Sequence, residues 1–137
     1  MSDTASTRGI HHLGLTVPNL EATVTFFVDG LGWSVLGEDP GYPAVYIGDG
    51  TSILTLWSTL TDDPVAADRE RNVGLHHLAL QVDDLDTLHQ TFDRVSAIEG
   101  VAVEFEPQQN PVGVGPRVHY MIYEPGGNRI EVLTDPK

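Results

Sequence analysis

Apolar and polar residues alternate through residues 10–17, with Leu13, Leu15 and Val17 on one side, the period-two pattern of a half-buried strand. The spacing then turns helical. Asn19 stands where an N-cap belongs, and Leu20, Val24, Phe27 and Leu31 share one face of a helix expected over 20–28. Asp29-Gly30 closes that helix. Residues 33–36 read as a strand, Asp39-Pro40-Gly41 as a turn, and 44–47 and 52–57 as a hairpin around Gly48-Asp49-Gly50. The same order then returns: a strand over 75–82, a helix over about 85–98 capped by Asp83 or Asp84 and closed by Gly100, and a strand over 101–106. A last hairpin, 117–123 and 128–133, turns at Glu124-Pro125-Gly126-Gly127. Residues 107–116 hold three prolines and two glycines and predict an irregular connection, suited to a loop or to a lid over a cleft.

The recurrence reaches individual residues. Residues 10–20, Ile-His-His-Leu-Gly-Leu-Thr-Val-Pro-Asn-Leu, align with residues 75–85, Leu-His-His-Leu-Ala-Leu-Gln-Val-Asp-Asp-Leu, at a constant offset of 65 (77 minus 12), and six of the eleven positions are identical. A doubled βαβββ unit predicts an α+β fold: two modules forming paired open sheets around a cleft. The expected organisation is a tail over 1–8 and one domain over 9–135, divided into module one (9–60), a polar linker (61–73) and module two (74–135).

Composition narrows the chemistry. Twenty acidic residues against seven basic ones give a net charge of −13, which repels phosphate backbones and anionic headgroups, so neither nucleic acid nor membrane is an expected partner. The first eight residues are small and polar without an apolar core, unlike a secretory signal, and a cytoplasmic location is the expectation. The chain has no cysteine, which leaves His, Asp and Glu as metal ligands.

Strand parity selects among them. His11 shares its face with Leu13, Leu15 and Val17, so His12 points the other way with Gly14 and Thr16. In the second copy His77 points with Ala79 and Gln81, while His76 goes with the apolar face. His11 and His76 are expected to satisfy local hydrogen bonds, and His89 to lie on the surface. Across the two hairpins, residues 48–55 align with 124–131 at an offset of 76, setting Glu131 opposite Thr55. Glu131 lies between Ile130 and Val132, where a carboxylate is costly to bury unless paired or bound to a cation. His12, His77 and Glu131 thus form a candidate two-histidine, one-carboxylate centre with open coordination positions. Parity also places Arg117, His119, Met121 and Tyr123 beside Glu131, and Val45, Ile47, Ile53 and Trp57 at the matching places of module one. His119 is the expected general acid–base. Tyr123 is the expected hydrogen-bond donor to a metal-bound oxygen, Arg117 the partner of a substrate carboxylate, and Met121, Trp57 and Thr55 substrate-lining residues.

Four segments carry a family resemblance: His12-Leu-Gly-Leu-Thr-Val17, the Phe26-Phe27…Leu31-Gly32 helix end, His77-Leu-Ala-Leu-Gln-Val82, and Glu124-Pro-Gly-Gly-Asn-Arg-Ile-Glu131. The chain resembles the vicinal-oxygen-chelate superfamily of glyoxalases, bleomycin-resistance proteins and extradiol dioxygenases. The resemblance implies a metal-dependent enzyme whose divalent ion (Fe2+, Mn2+, Zn2+, Ni2+ or Co2+) chelates a small oxygen-rich substrate. It implies dioxygenase-like or glyoxalase/lyase-like chemistry, and a homodimer in many members, some sharing a cleft between chains. Thr55 stands where glyoxalase I carries a fourth ligand, which tilts the expectation slightly toward dioxygenase chemistry. The alternative is sequestration of a small molecule or antibiotic, as in bleomycin-resistance proteins.

Overall fold

The computed structural model describes residues 4–110 and 116–135. Module one runs β1 (Leu13–Val17), α1 (Leu20–Thr25) continuing into a π-helical turn (Phe26–Gly30), β2 (Ser34–Asp39), β3 (Ala44–Gly48) and β4 (Ile53–Ser58). Module two repeats it as β5 (Leu78–Gln81), α2 (Leu85–Ser96), β6 (Ala102–Gln109), β7 (Val118–Tyr123) and β8 (Arg129–Thr134). Each module forms its own open four-stranded sheet, ordered β1-β4-β3-β2 and β5-β8-β7-β6. The first strand of each is parallel to the last, and the other pairings are antiparallel. The doubled α+β architecture expected from the repeat is therefore the one observed. Among the described residues no helix is long and apolar enough to cross a membrane.

Local chemistry accounts for the elements. Asn19 Oδ1 accepts the Ala22 N–H at 3.1 Å and starts α1; Asp84 Oδ1 does the same for Thr87 at 2.7 Å and starts α2. The π-helical turn widens the helix by one residue, so Phe26 and Phe27 are both fully buried, with ring centroids 5.0 Å apart. A regular helix of the predicted phase would have buried only Phe27. The strands β1 and β5 begin three residues later than alternation suggests. Among the described residues each hydrogen-bonds one neighbour only, and pairing starts at Leu13↔Leu54 and Leu78↔Ile130, where that neighbour leaves its hairpin. Both His-His pairs consequently stand just before their strands.

The strand β6 also departs from expectation, running through Pro107 to Gln109 rather than stopping at Glu106. It is an edge strand with register shifts between Val103 and Phe105 and between Phe105 and Gln108, the setting in which a strand tolerates proline. The core of the expected lid, residues 111–115, lies outside the described residues.

One apolar core spans both modules, from Leu15, Phe27, Ile47 and Leu56 to Leu88, Val95, Tyr120 and Ile130. The halves meet through their helical elements. Gly30 packs so closely on α2 that an added Cβ would lie 2.8 Å from Val95 Cγ1 and 2.9 Å from Ile98 Cδ1, while Arg94 Nε donates to its carbonyl at 3.0 Å. Gly30→Ala should therefore lower stability by about 1–3 kcal/mol through overpacking, read as a shift of the urea midpoint at constant slope.

Candidate metal centre

Register decides what faces the same side as Glu131. On β8, Glu131 pairs with Met121 of β7 and Ala79 of β5, so these share its face, together with Arg129, Leu133, His119 and Tyr123. The placement of His119, Met121 and Tyr123 beside Glu131 agrees with parity. In module one, Thr55 pairs with Tyr46 and Gly14, and Trp57 with Ala44 and Thr16. Tyr46, not Val45 or Ile47, thus shares the Thr55 face; Ile47 is fully buried on the core side. The cause is hairpin length. Four residues separate the pair Gly48↔Ile53, but five separate Tyr123↔Arg129, so an offset of 76 holds only after the turn. Tyr42 and Tyr46 pack edge-on against Trp57, whose indole Nε1 donates to Thr55 Oγ1 at 2.9 Å. Module one offers an aromatic wall.

Glu131 is 8% exposed and central to module two's polar cluster. Its Oε2 lies 2.6 Å from His119 Nδ1, and its Oε1 lies 3.4 Å from His77 Nε2. A carboxylate only accepts, so His119 carries its proton on Nδ1 and donates it. His119 is itself buried against Phe105, with ring centroids 4.8 Å apart. Its Nε2 has no hydrogen-bond partner among the described residues. His76 Nδ1 lies 2.8 Å from His77 Nδ1, and His11 repeats that contact with His12 at 2.8 Å, the rings edge-to-face in both copies. In each pair the front histidine keeps Nε2 for another partner while its neighbour fixes the ring, as second-sphere groups hold metal-ligating imidazoles.

The 3.4 Å separation discriminates between two readings of His77 and Glu131. It is long for a charge-assisted hydrogen bond, which is about 2.7–2.9 Å. Two donors each about 2.1 Å from one cation, at octahedral or tetrahedral angles, stand roughly 3.0–3.4 Å apart. These two donors fit a shared divalent cation. Their chain nevertheless does not complete the set. Among the described residues no three His, Asp or Glu side chains converge to hold a metal, so His12 does not join His77 and Glu131 within one chain.

The remaining expected residues are placed as follows. Arg117 holds Asp135 in a two-pronged ion pair, Nε to Oδ1 at 2.7 Å and Nη2 to Oδ2 at 3.2 Å. Tyr123 donates to Glu104 Oε1 at 3.0 Å and accepts from Arg69 Nη1 at 2.6 Å. Met121 is buried beside Glu131. Arg69 and Glu104 carry no sequence signal. Arg69 lies in a polar linker, and Glu104 is brought under Arg129 by the irregular register of β6.

Arg129 binds Glu104 through Nε and Nη2, both at 2.8 Å, and that guanidinium holds the Glu104 carboxyl down at about 2, against an ordinary 4.5. The folded value lies below the unfolded one, so this pair stabilises the fold fully above about pH 4.5 and loses its contribution as pH falls toward 2. Glu104→Gln should flatten acid unfolding in that window and leave its slope near neutrality unchanged.

The family model described as Glyoxalase/Bleomycin resistance protein/Dioxygenase superfamily matches residues 9–132. A methylmalonyl-CoA epimerase (mitochondrial, Homo sapiens) is 29% identical over 84 residues, 56% of this chain and 48% of that protein, so the match spans about half the relative's length. A crystal structure of a glyoxylase/bleomycin resistance protein/dioxygenase domain from Frankia sp. EAN1pec superposes with a TM-score of 0.80, at 20% identity, over 96% of this chain and 95% of that one. A lactoylglutathione lyase from Agrobacterium tumefaciens superposes at 0.69, with 23% identity, over 95% and 96%. At those identities the structural likeness is one of fold.

Proposed function

Because the chain belongs to the Glyoxalase/Bleomycin resistance protein/Dioxygenase superfamily, we propose that it is a metal-dependent enzyme catalysing proton transfer on a small substrate with adjacent oxygens. One observation carries the reading: Glu131, buried, presents one oxygen toward His77 Nε2 and the other to His119 Nδ1. His77 and Glu131 would hold a divalent ion, which when bound polarises the substrate's adjacent oxygens as a Lewis acid. His76 orients His77 through the Nδ1 contact, and His119 orients Glu131. The Glu131–His119 pair, 2.6 Å apart, can hold a proton between Oε2 and Nδ1 and return it. Taking a proton from one atom and returning it is the work of an isomerase or lyase, which favours that chemistry over attack by dioxygen. Relatives named as an epimerase and a lyase point the same way.

The third ligand is His12 of the partner subunit in a homodimer. The strands β1 and β5 are both sheet edges, each with a neighbour on one side only among the described residues, and an open edge is a surface on which another strand can pair. Beside them stand exposed apolar side chains, Ile10 (88%), Val73 (107%) and Leu75 (40%), next to the two His-His pairs. Docking β1 of one copy against β5 of another would cover both and bring His12 to His77 and Glu131. The direct test is elemental analysis of purified protein together with its mass in solution. One divalent ion per subunit in a dimer, lost in Glu131→Ala, is expected; a metal-free protein that refuses Mn2+, Ni2+ and Zn2+ would end the proposal. Substrate enolisation, followed as solvent-deuterium incorporation at the carbon beside a keto group, distinguishes proton transfer from oxygen consumption.

A further inference from the structure

The linker between the modules closes a cavity of about 470 Å3 over the turn end of β7 and β8, lined by Arg69, Asn72, His76, Tyr123, Asn128 and Arg129. It adjoins the candidate centre directly, since His76 lines it and contacts His77 at 2.8 Å. The chain has seven basic residues, and two of them meet here from segments sixty positions apart (129 minus 69). Their charges are not equally engaged. Both of Glu104's carboxylate oxygens are taken by Arg129. Arg69 acts on Glu104 through space but hydrogen-bonds only to the Tyr123 hydroxyl among the described residues, at 2.6 Å, which leaves donors of its guanidinium fork unused. The acid in the cavity lining, Asp68, turns its Oδ1 back to the Glu70 N–H at 3.0 Å. A protein of net charge −13 repels anions over most of its surface, so a cation pinned at a cavity mouth selects strongly for them.

We infer that this cavity is a recognition site for a substrate carboxylate, with Arg69 as its receptor and Tyr123 as the residue that positions Arg69. The substrate would then be an organic acid: adjacent oxygens at the centre, a carboxylate at the far end in the cavity. Tyr123 donates its proton to Glu104 and offers its lone pair to Arg69, so the hydroxyl aims the guanidinium. A carboxylate matches a coplanar pair of the four donors that remain. That the other end of the ligand sits on a metal rests on the function proposed above; binding of the carboxylate does not.

The probe is 2-oxoglutarate, which has adjacent keto and carboxylate oxygens at one end and a single carboxylate at the other. Its partner is 2-oxopentanoate, with the same head and chain and no distal carboxylate. Calorimetric titration of Mn2+-loaded full-length protein should show 2-oxoglutarate binding about tenfold tighter. Arg69→Gln should reduce that ratio to about one and leave 2-oxopentanoate unchanged, and Tyr123→Phe should fall between. Equal affinities in the unaltered protein, or a ratio that survives Arg69→Gln, would overturn the inference while leaving the metal reading intact. The same comparison without metal, glutarate against pentanoate, keeps the two apart. A glutarate preference that depends on Arg69 in a protein that never binds metal would support the carboxylate site and sink the centre instead. Unchanged thermal midpoints for both variants exclude unfolding as the cause.

Discussion

A one-to-one mixture of His12→Ala and His77→Ala subunits, unfolded and refolded together, should recover about a quarter of the metal and activity of the unaltered protein, although each variant alone has almost none. The number follows from symmetry. Random pairing makes about half of the dimers mixed, and each mixed dimer rebuilds one of its two sites, joining the unaltered His12 of one subunit to the unaltered His77 of the other, while its second site loses both histidines. The losses in the single variants should be large, on the order of 100-fold or more in metal affinity, because two remaining ligands do not hold a divalent ion against water. Recovery in the mixture is what a site built within one chain cannot produce. Were the mixture as dead as its components, both histidines would serve a site within one chain and the shared centre would be wrong; were His12→Ala alone to keep its metal, His12 would have no place at the centre. The structure motivates this expectation by what it separates: Glu131 Oε1 and His77 Nε2 stand 3.4 Å apart, yet no third ligand converges on them among the described residues.

That division marks how far a linear pattern reaches. The repeat at residues 10–20 and 75–85, together with alternation, sufficed to place both βαβββ modules and to turn His77 and Glu131 to one side. Period-two reasoning succeeds there because a strand's two faces are fixed by its own residues. It failed one hairpin earlier in module one, where a turn shorter by one residue reversed the parity and set Tyr46, not Ile47, on the Thr55 face. It also gave no warning that Phe26 and Phe27 would both be buried, since the widened turn that permits it is settled by packing against Trp33. Relations between modules were less legible still. Whether two matching histidines meet depends on how the sheets associate, which a repeat leaves open. Arg117 illustrates the same gap: its face was legible, but not its engagement with Asp135, eighteen residues away.

Glu124→Ala should cost about 3–5 kcal/mol of folding stability, the largest loss expected from any single polar side chain here. Glu124 stands in a hairpin turn, where an acid normally faces water, yet it is 1% exposed and forms no ion pair among the described residues. Four donors replace a cation. Thr23 Oγ1 and the Gly126 N–H reach Oε1, both at 2.7 Å, and the N–H and side-chain amide of Asn128 reach Oε2, both at 2.9 Å. The turn closes so tightly on this carboxylate that a Cβ at residue 126 would lie 2.7 Å from Glu124 Oε2 and 2.8 Å from Val17 Cγ1. Removing the carboxylate leaves the fully buried Thr23 hydroxyl without that partner and a cavity beside it; the two backbone donors, nearer the surface, can recover water. Thr23→Val should cost less, about 1–2 kcal/mol, because three donors still hold Glu124. The Thr23–Glu124 bond also ties the first helix of module one to the hairpin that delivers Glu131, so its effect should extend past stability. A double-mutant cycle on chemical denaturation should give a coupling of at least about 1 kcal/mol between the two residues. Thr23→Val should in addition weaken metal binding several-fold in protein that is still fully folded. Additive stabilities with an unchanged metal affinity would mean that the hairpin holds its own shape and that the two modules are set by apolar packing alone.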